Sequence, residues 1–381
     1  MKKKLFTAIG LMTGTSMDGL DLSVIKSDGI SEVHIIFNKY YEFDKDLRKK
    51  LLNLRNNISS SSDLEKNKDE LDLVEKHLTL YCGQVVNEIL KNFDNKVDLV
   101  GFHGQTIYHD SKQKISKQLG NGNLLSQLTS KIVINNFRQE DLNNGGQGAP
   151  LIPIYHGVIS KILNKKYNLP YPINILNIGG ITNLTQVKND NSPEQSLNAY
   201  DIGPGNCLID EWVRRNSNKK FDERGEFAKS GKVNELIFNQ ALDNFNIDSY
   251  NDSLDVKNFD ISFAKGLSFE DGCATLTKFS AYMIAKALEN LNILNNIKPS
   301  QNIVSGGGRK NNFLISSINF FLNQKNALIK NIDNYEFDGD FIESQGFGYL
   351  AIRSFLRLPL SFPNTTRCKK PSLGGNLNKN F

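Results

Sequence analysis

Short apolar runs alternate along this chain with glycine-rich turns and with longer segments that have one polar and one apolar face. Apolar runs at residues 5–11 and 21–27 flank a polar turn at residues 14–19, which predicts a strand on each side of the turn. Residues 64–89 carry apolar side chains at helical spacing after a run of serines, which predicts a long amphipathic helix. Short runs at residues 97–102 and 132–134 predict two buried strands.

The later part of the chain repeats this arrangement. Residues 173–178 and 184–187 flank Gly179 and Gly180, so a strand, a glycine turn and a strand follow one another again. A strand is predicted to end at Asp201, before a helix that begins near Asn206. A strand at 302–305 and helices at 274–291 and 341–356 complete the pattern, which is typical of an α/β protein. The recurrence predicts two related halves with a cleft between them.

Chain length and one cluster of glycines indicate where the halves separate. A chain of 381 residues is long enough for two domains. The densest group of turn-forming residues lies at 143–150, and we expect the domain boundary there.

Composition excludes several classes of protein. With 39% hydrophobic residues, 23% charged residues and 29 glycines, the chain does not resemble a disordered protein, a collagen or a coiled coil. Lys and Arg (46) exceed Asp and Glu (41) by only five, and no basic stripe with interleaved aromatic residues is present. Nucleic acid is therefore not expected as a partner.

Cysteine and histidine usage and the first residues favour a cytoplasmic protein. The four cysteines and five histidines are widely spaced, which argues against a zinc site and against a disulfide scaffold. The basic, apolar start is similar to a signal peptide, but at Gly10 it passes straight into a polar turn motif. No run reaches the roughly 18 apolar residues of a membrane span. We interpret the start as the first strand of a cytoplasmic domain.

The first turn, TGTSMDGLD at residues 13–21, has the composition of a phosphate site. Small residues let backbone N–H groups and hydroxyls approach phosphate oxygens. Asp18 would repel phosphate unless Mg²⁺ or its water shell lies between them, so its presence suggests a metal–nucleotide site. The alternative is a structural hairpin with a polar turn. The segment is not a Walker A loop, because no Gly-Lys-Ser/Thr sequence follows.

Three later motifs extend this hypothesis. The turn NIGGITN at residues 177–183 suggests a second hairpin that grips the same polyphosphate as the first. In DIGPGN, at residues 201–206, Asp201 is expected at a strand end, where α/β clefts carry their chemistry, and we predict that it is a general base. The glycines at 306–308 permit close approach of a ring or a phosphate. The alternatives are an Asp201 that caps its turn and an ordinary glycine-rich loop.

Two further polar segments are candidates for substrate contacts. The sequence HGQT at residues 103–106 ends a predicted buried strand, and NFRQED at residues 136–141 precedes the glycine cluster. Arg138 suits a substrate carboxylate. A structural or surface role for His103 or Arg138 remains the alternative.

Together and in this order, the motifs resemble the anhydro-N-acetylmuramic acid kinase family. The resemblance rests on TGTSMDGLD, HGQT, FR followed by GGQGAP, NIGGITNL, DIGPGN and the late GGG, and it extends from Ile9 to about Asn376. It implies the superfamily of sugar kinases, heat-shock ATPases and actin, with two actin-like, ribonuclease H-like domains and an active-site cleft between them. It also implies a bacterial cytoplasmic phosphotransferase of peptidoglycan recycling, with an alcohol group as acceptor. The expected reaction converts 1,6-anhydro-N-acetylmuramic acid, ATP and water to N-acetylmuramic acid 6-phosphate and ADP, with hydrolysis of the anhydro ring.

The resemblance also implies roles for single residues. Asp201 matches the catalytic carboxylate, which would deprotonate the water that attacks C1. The nucleotide-binding residues are expected to be Gly14, Thr15, Ser16, Met17, Asp18, Gly19, Leu20, Asp21, Gly179, Gly180, Gly306 and Gly307. Substrate binding is expected from His103, Gln105, Arg138 and Glu343. We expect ATP with Mg²⁺ held through the phosphates, no assigned protein ligand for the metal, an amino sugar as the other partner, and a homodimer.

The chain departs from the family pattern at two places. Asn136 stands where the family commonly has Asp, and Arg309 and Lys310 stand where a smaller pair is usual. The tail at residues 365–376 resembles the closing segment of the family, where the chain returns to the first domain. We therefore expect a first domain of residues 1–140 plus about 360–381, and a second domain of residues 141–359.

Two other function classes remain as alternatives. An actin-like or chaperone-like ATPase would carry a large insertion for peptide binding or polymerisation, and 381 residues leave little room for one. A non-catalytic sugar-binding relative would be expected to lack Asp201 or the turn at residues 14–21, and both are present.

Overall fold

The computed structural model describes residues 4–93, 96–245, 250, 254, 256–298, 301–322 and 328–381. The chain divides into two units, one formed by Met1–Val158 with Phe341–Phe381 and the other by Ile159–Asp340. Among the described residues, every helix is too short or too polar to cross a membrane.

Thirteen strands are present in the described residues. In chain order they are β1 (Phe6–Met12), β2 (Gly19–Ser27), β3 (Val33–Glu42), β4 (Leu99–Phe102), β5 (Gln105–Asp110), β6 (Ile115–Leu119), β7 (Ile132–Asn135), β8 (Ile173–Ile178), β9 (Ile181–Val187), β10 (Leu197–Pro204), β11 (Gln301–Ser305), β12 (Ile329–Asn331) and β13 (Asn376–Asn378).

The described residues also form fourteen α-helices. They are α1 (Lys45–Asn57), α2 (Ser61–Lys66), α3 (Lys68–Asn92), α4 (Gly122–Thr129), α5 (Gln139–Asn143), α6 (Pro153–Tyr167), α7 (Pro193–Ser196), α8 (Cys207–Asn216), α9 (Glu226–Ser230), α10 (Glu235–Asn244), α11 (Phe269–Leu294), α12 (Asn312–Leu322), α13 (Ile342–Phe355) and α14 (Pro363–Thr366). Short 3₁₀ turns lie at Glu223–Gly225, Val256–Asn258, Ser262–Ala264, Gly307–Lys310 and Ile332–Tyr335.

The first unit is built on a six-stranded sheet in the order β13-β7-β4-β1-β2-β3. The strands β1, β2 and β3 form an antiparallel meander, whereas β4 and β7 continue the sheet in parallel on the other side of β1. Ile9 and Leu11 of β1 join a core cluster with the apolar residues of α1 and α3. Parallel strands carry helices on both faces, and the fully buried β1 follows that rule.

Helix α13 covers the opposite face of this sheet through glycine contacts. A side chain at Gly10 of β1 would collide with the carbonyl oxygen of Ser344, and one at Gly101 of β4 would collide with that of Phe347. Glycine at both positions therefore lets the helix lie directly on the strands. This contact places Glu343, in the first turn of α13, in the first unit.

The second unit repeats the same topology in a five-stranded sheet with the order β10-β9-β8-β11-β12. Its strands β8, β9 and β10 are antiparallel neighbours, and β11 and β12 follow β8 in parallel. Each sheet thus has its first strand in the middle, two hairpin strands on one side and two parallel strands on the other, and the first sheet adds the antiparallel strand β13 at its edge. The predicted α/β class with two related halves is confirmed.

Several elements differ from their predicted bounds. The predicted helix at 64–89 is two helices, because α2 ends at Lys66 and α3 begins at Lys68, with Asn67 between them. Strand β10 does not end at Asp201 but runs on to Pro204, with an irregular register between Asp201 and Gly203. Strand β3 was not predicted; it is half exposed at the edge of its sheet, so it has no continuous apolar run.

The glycine cluster at residues 143–150 is bound into the first unit. The buried carboxylate of Asp141 accepts hydrogen bonds from Gly148 N at 2.7 Å and from Thr366 Oγ1 at 2.6 Å, and Gln147 N donates to Thr366 O at 2.8 Å. These bonds tie the cluster to the C-terminal tail. The division accordingly falls at 158/159 and 340/341, whereas the sequence suggested boundaries near 140 and 360.

Candidate active site

The turn between β1 and β2 is an exposed loop with a firmly bonded base. Thr13 Oγ1 donates to Gly104 O at 2.9 Å, Met17 N donates to Gly14 O at 3.2 Å, and Phe43 N donates to Asp18 O at 2.9 Å. Arg55 Nη1, from the last turn of α1, donates to Thr15 O at 2.8 Å. Thr15 and Ser16 are exposed, so hydroxyl and backbone groups of this turn face solvent.

The eight residues predicted to bind nucleotide in this region divide into two groups. Residues 14–18 form the turn, and Ser16 Oγ donates to Asp18 Oδ1. Gly19, Leu20 and Asp21 belong to β2. The side chains of Met17 and Leu20 lie in the hydrophobic core, so only their backbone can face a ligand. Met17 has a φ of 52°, a left-handed conformation that is uncommon for methionine and that its buried side chain helps to hold.

Tyr40 of β3 covers this turn and was not predicted as part of the site. A side chain at Gly19 would lie about 2.5 Å from the phenol oxygen of Tyr40, so the ring packs directly on this glycine. Burial, and secondarily the charge of Asp18, raise the pKa of Tyr40 to about 12. The phenol is therefore protonated and is 45% exposed beside the turn. Its edge-strand position gave no sequence signal for this contact.

The loops after β4 and β7 lie at the same edge of the first sheet as this turn, because β1, β4 and β7 are parallel neighbours. His103 follows β4, and Arg138 lies three residues beyond β7. Arg138 donates to His103 Nε2 from Nε at 3.1 Å and from Nη2 at 2.9 Å, and its Nη1 donates to Gly148 O at 2.8 Å. The two predicted substrate residues are therefore in direct contact.

His103 is a neutral acceptor in this arrangement. Burial, and secondarily the charge of Arg138, hold the pKa of His103 well below its ordinary value of 6.5. Its Nδ1 lies 2.6 Å from Gly104 O and so carries the proton, which leaves Nε2 to accept from Arg138. The pair fixes the guanidinium and keeps its positive charge at this edge of the sheet.

Gln105 presents a buried polar atom in the same region. The residue is 1% exposed, and Nε2 donates to Thr106 O at 3.3 Å. Among the described residues, Oε1 has no hydrogen-bond partner. A buried acceptor of this kind requires an explanation, and a bound ligand is one. Glu343 lies in the same unit and is half buried.

In the second unit, the Gly179–Gly180 turn joins β8 to β9 and is bonded to the segment after β10. Gly205 N donates to Gly180 O and Asn206 N donates to Gly179 O, both at 2.8 Å. A side chain at Gly205 would collide with the carbonyl oxygen of Gly179, so the two segments touch along their backbones.

The Gly306–Gly308 loop lies beside the same turn. Gly306 has a φ of 79°, and a side chain there would collide with Asn177 Oδ1, while one at Gly308 would collide with Ile178. A side chain at Gly307 would meet no atom within 4 Å. The structure thus brings Gly179, Gly180, Gly306 and Gly307, each predicted from the sequence to bind nucleotide, close to one another, and a side chain at Gly307 would point into open space.

Asp201 belongs to a row of polar residues that crosses the second sheet. Asp201 pairs with Asn183 of β9, Asn183 pairs with Asn177 of β8, and Asn177 pairs with Ser305 of β11. The row ends next to Gly306, which links the predicted base to the glycine loops. Asp201 is half buried, and its Oδ2 accepts a hydrogen bond from Leu254 N at 2.9 Å. The two asparagines were not predicted individually, since their alignment depends on strand register.

Comparisons with known proteins agree with the motifs. Residues 6–379 match the family model described as anhydro-N-acetylmuramic acid kinase. A protein of that name from Pelagibacter ubique (strain HTCC1062) is 50% identical over 386 residues, which cover 100% of both chains. Another from Brucella canis is 37% identical over 372 residues, 97% of each chain.

A solved structure is also similar to this chain, at a much lower sequence identity. A ROK family glucokinase from Streptomyces griseus, in complex with glucose and AMPPNP, gives a TM-score of 0.41 at 13% identity, with 90% of this chain and 98% of that chain covered. The family relationship therefore rests on the sequence matches.

Proposed function

Since the chain belongs to the anhydro-N-acetylmuramic acid kinase family, we propose that it converts 1,6-anhydro-N-acetylmuramic acid, ATP and water to N-acetylmuramic acid 6-phosphate and ADP. The observation that carries the proposal is the match over residues 6–379, which includes every motif discussed above. The reaction belongs to the recycling of bacterial peptidoglycan and takes place in the cytoplasm, where ATP is available.

Asp201 is the general base in this proposal. It removes a proton from the water molecule that attacks C1, and the C1–O6 bond breaks as the new C1–O bond forms. O6 forms a bond to the γ-phosphorus while the bond from that phosphorus to ADP breaks, so the negative charge of O6 ends on the oxygen of the leaving ADP. The hydrogen bond from Leu254 N orients the Asp201 carboxylate, which supports this role.

In this proposal, the glycine turns bind the phosphates of the nucleotide. Phosphoryl transfer depends mainly on positioning and on charge stabilisation. The turn at residues 14–18 and the loops at Gly179–Gly180 and Gly306–Gly307 have small residues at which phosphates can approach the backbone. The neighbouring Asp18 carboxylate and Ser16 hydroxyl are oxygen ligands of the type that Mg²⁺ prefers. We propose that Asp18 would hold Mg²⁺ or its water shell, and that the ion would neutralise phosphate charge there.

In this proposal, residues at the edge of the first sheet bind the sugar. Arg138 carries a fixed positive charge that suits the carboxylate of a muramic acid. The buried Oε1 of Gln105 is an acceptor suited to a sugar hydroxyl or amide N–H. His103 holds Arg138 in place, so its contribution is to orient the guanidinium. We propose Glu343 as an additional sugar contact.

Mass spectrometry in ¹⁸O-water tests the coupled reaction. The protein is incubated with ATP, Mg²⁺ and the anhydro sugar in labelled water, and the product is fragmented to locate the label. We expect one ¹⁸O at C1 of a 6-phosphorylated sugar, because water opens the ring while O6 takes the phosphoryl group. ADP formed without any sugar phosphate would instead support an ATPase.

The variant Asp201→Asn tests the assigned base. We expect turnover to fall by at least about 10²-fold, as for the loss of a general base, with ATP binding nearly unchanged. Asp190→Asn is the matched control, because it makes the same change at an exposed position of the same unit. Wild-type turnover in Asp201→Asn would remove this residue from the mechanism.

A further inference from the structure

Arg309 is a buried arginine in the turn that follows the Gly306–Gly308 loop. Its side chain is 3% exposed. Nε donates to both carboxylate oxygens of Asp333 at 3.0 Å, Nη1 donates to Asp340 Oδ1 at 2.6 Å, and Nη2 lies 3.6 Å from Asp338 Oδ1. Three carboxylates from one segment, residues 333–340, thus surround a single guanidinium.

The same guanidinium holds the glycine loop. Nη1 also donates to Gly306 O at 3.1 Å, and Gly306 N donates to Gly339 O at 3.1 Å. Gly339 N in turn donates to Asp333 Oδ1 at 2.8 Å. Gly306 has a left-handed φ, and both of its backbone polar groups are bonded to Arg309 or to the segment that Arg309 binds. The conformation of the loop therefore depends on this cluster.

The charges of the cluster argue against direct phosphate binding by Arg309. Arg309 and Lys310 carry two positive charges against three negative charges on Asp333, Asp338 and Asp340, a net charge of −1. Burial alone would raise the pKa of Asp340, but its hydrogen bonds from Arg309 and Lys310 outweigh this and lower it. The guanidinium of Arg309 thus binds protein carboxylates. Its contribution to the site is to hold the Gly306–Gly308 loop.

We propose that Arg309 is a positioning residue that holds the Gly306–Gly308 loop in its nucleotide-binding conformation. This inference rests on the proposed function, in which that loop contacts ATP. A loop that is already ordered binds its ligand without an ordering cost, and the apparent dissociation constant rises as the competent fraction of the loop falls. Loss of the cluster should therefore weaken ATP binding selectively.

Steady-state kinetics with ATP and sugar varied separately test this role. We expect Arg309→Met to raise KM for ATP about tenfold, with kcat within about threefold and KM for the sugar within about twofold of wild type. Arg309→Lys should give an intermediate KM for ATP, because a lysine keeps the charge but cannot bond Gly306 and two carboxylates at once. The control is Lys310→Met, since Lys310 pairs with the same Asp340 but is 58% exposed.

Two further measurements keep the outcome decisive. If Arg309→Met does not fold, Asp333→Asn is the substitute, because it weakens the same cluster by removing the charge of a carboxylate that binds Arg309. This variant should raise KM for ATP about threefold. Calorimetric titration with a non-hydrolysable ATP analogue measures nucleotide binding without turnover. An inactive wild type that still binds the analogue more tightly than Arg309→Lys would refute the proposed reaction but keep this inference. Unchanged KM for ATP in folded Arg309 variants, or an equal rise in both KM values, would overturn the inference.

Discussion

At position 136 the backbone conformation explains the residue type. Asn136 has a φ of 53°, a region that asparagine, aspartate and glycine enter far more readily than other residues. The guanidinium of Arg138 is oriented by His103 and by the Gly148 carbonyl. Arg138 therefore has partners that orient it without a carboxylate at position 136.

Variants at position 136 should follow the backbone requirement. We expect Asn136→Asp and Asn136→Gly to change the free energy of unfolding by less than about 0.5 kcal/mol, and Asn136→Ala to lower it by about 1 kcal/mol, because alanine resists a positive φ. Urea unfolding of the four proteins gives the comparison. Equal stabilities for the alanine and glycine variants would mean that the side chain, and not φ, selects asparagine here.

Residue types could be predicted from the sequence where a motif carries them, and contacts could not. The glycines, Asp201 and Arg138 can be recognised within short sequence motifs. The partners of Arg309 lie 24 to 31 residues further along the chain, and their contact depends on how residues 333–340 return to the glycine loop. Tyr40 reaches Gly19 only because β3 pairs with β2 in one register. Such long-range pairings leave no local pattern.

Among the elements, the second sheet is held in register by a buried amide network. Asn292 Oδ1 of α11 accepts from Gln186 Nε2 of β9 at 2.9 Å and from Asn174 Nδ2 of β8 at 3.3 Å. Asn174 Nδ2 also donates to Asn302 Oδ1 of β11 at 2.9 Å. Three neighbouring strands are thus bonded to one another and to α11. A slip by one residue would bury these amides without partners, so the network favours the register that aligns Asp201 with the glycine loops.

Removal of the central acceptor should be costly. We expect Asn292→Ala to lower the free energy of unfolding by about 3 kcal/mol, because two buried amide donors lose an acceptor. Asn290→Ala is the matched control on the same helix, where the side chain is exposed and its removal should cost less than about 0.5 kcal/mol. Chemical unfolding followed by circular dichroism measures both. A cost for Asn292→Ala as small as that of the control would show that the network adds nothing to stability.

The order of helices and strands was largely predictable, whereas their ends were not. Apolar runs identified β1, β4, β8 and β11 because these strands are central and nearly fully buried. The break between α2 and α3 was missed, because the apolar spacing continues across Asn67. Strand β10 extends past Asp201 through a bulge, and bulges are set by the neighbouring strand.

On the scale of the whole molecule, the two units repeat one topology, and each closes its first hairpin with a glycine turn. The turn at residues 13–18 joins β1 to β2, and Gly179–Gly180 joins β8 to β9. A methyl group at Gly14 would meet only Ser16 Oγ, at 3.8 Å, and one at Gly307 would meet nothing within 4 Å. Space of this kind at a glycine is expected where a phosphate approaches the backbone.

The variants Gly14→Ala, in the first unit, and Gly307→Ala, in the second, test whether each of these glycines lies against the nucleotide. Neither methyl group collides with the protein, so we expect the free energy of unfolding of both variants to lie within about 0.5 kcal/mol of the wild-type value. We expect each variant to raise KM for ATP about tenfold. A non-hydrolysable ATP analogue at 100 times its wild-type Kd should stabilise the wild type by about 2.7 kcal/mol and each variant by roughly 1.4 kcal/mol.

Gly306→Ala provides the contrast. Gly306 has a positive φ, and the alanine methyl group would collide with Asn177. The free energy of unfolding of this variant should therefore fall even without nucleotide. The pattern across the three variants separates a nucleotide site from a folding requirement. If Gly307→Ala raises KM for ATP and Gly14→Ala does not, the nucleotide is held by the second unit alone. The first turn would then act on the sugar, because Thr13 joins it directly to the loop that carries His103.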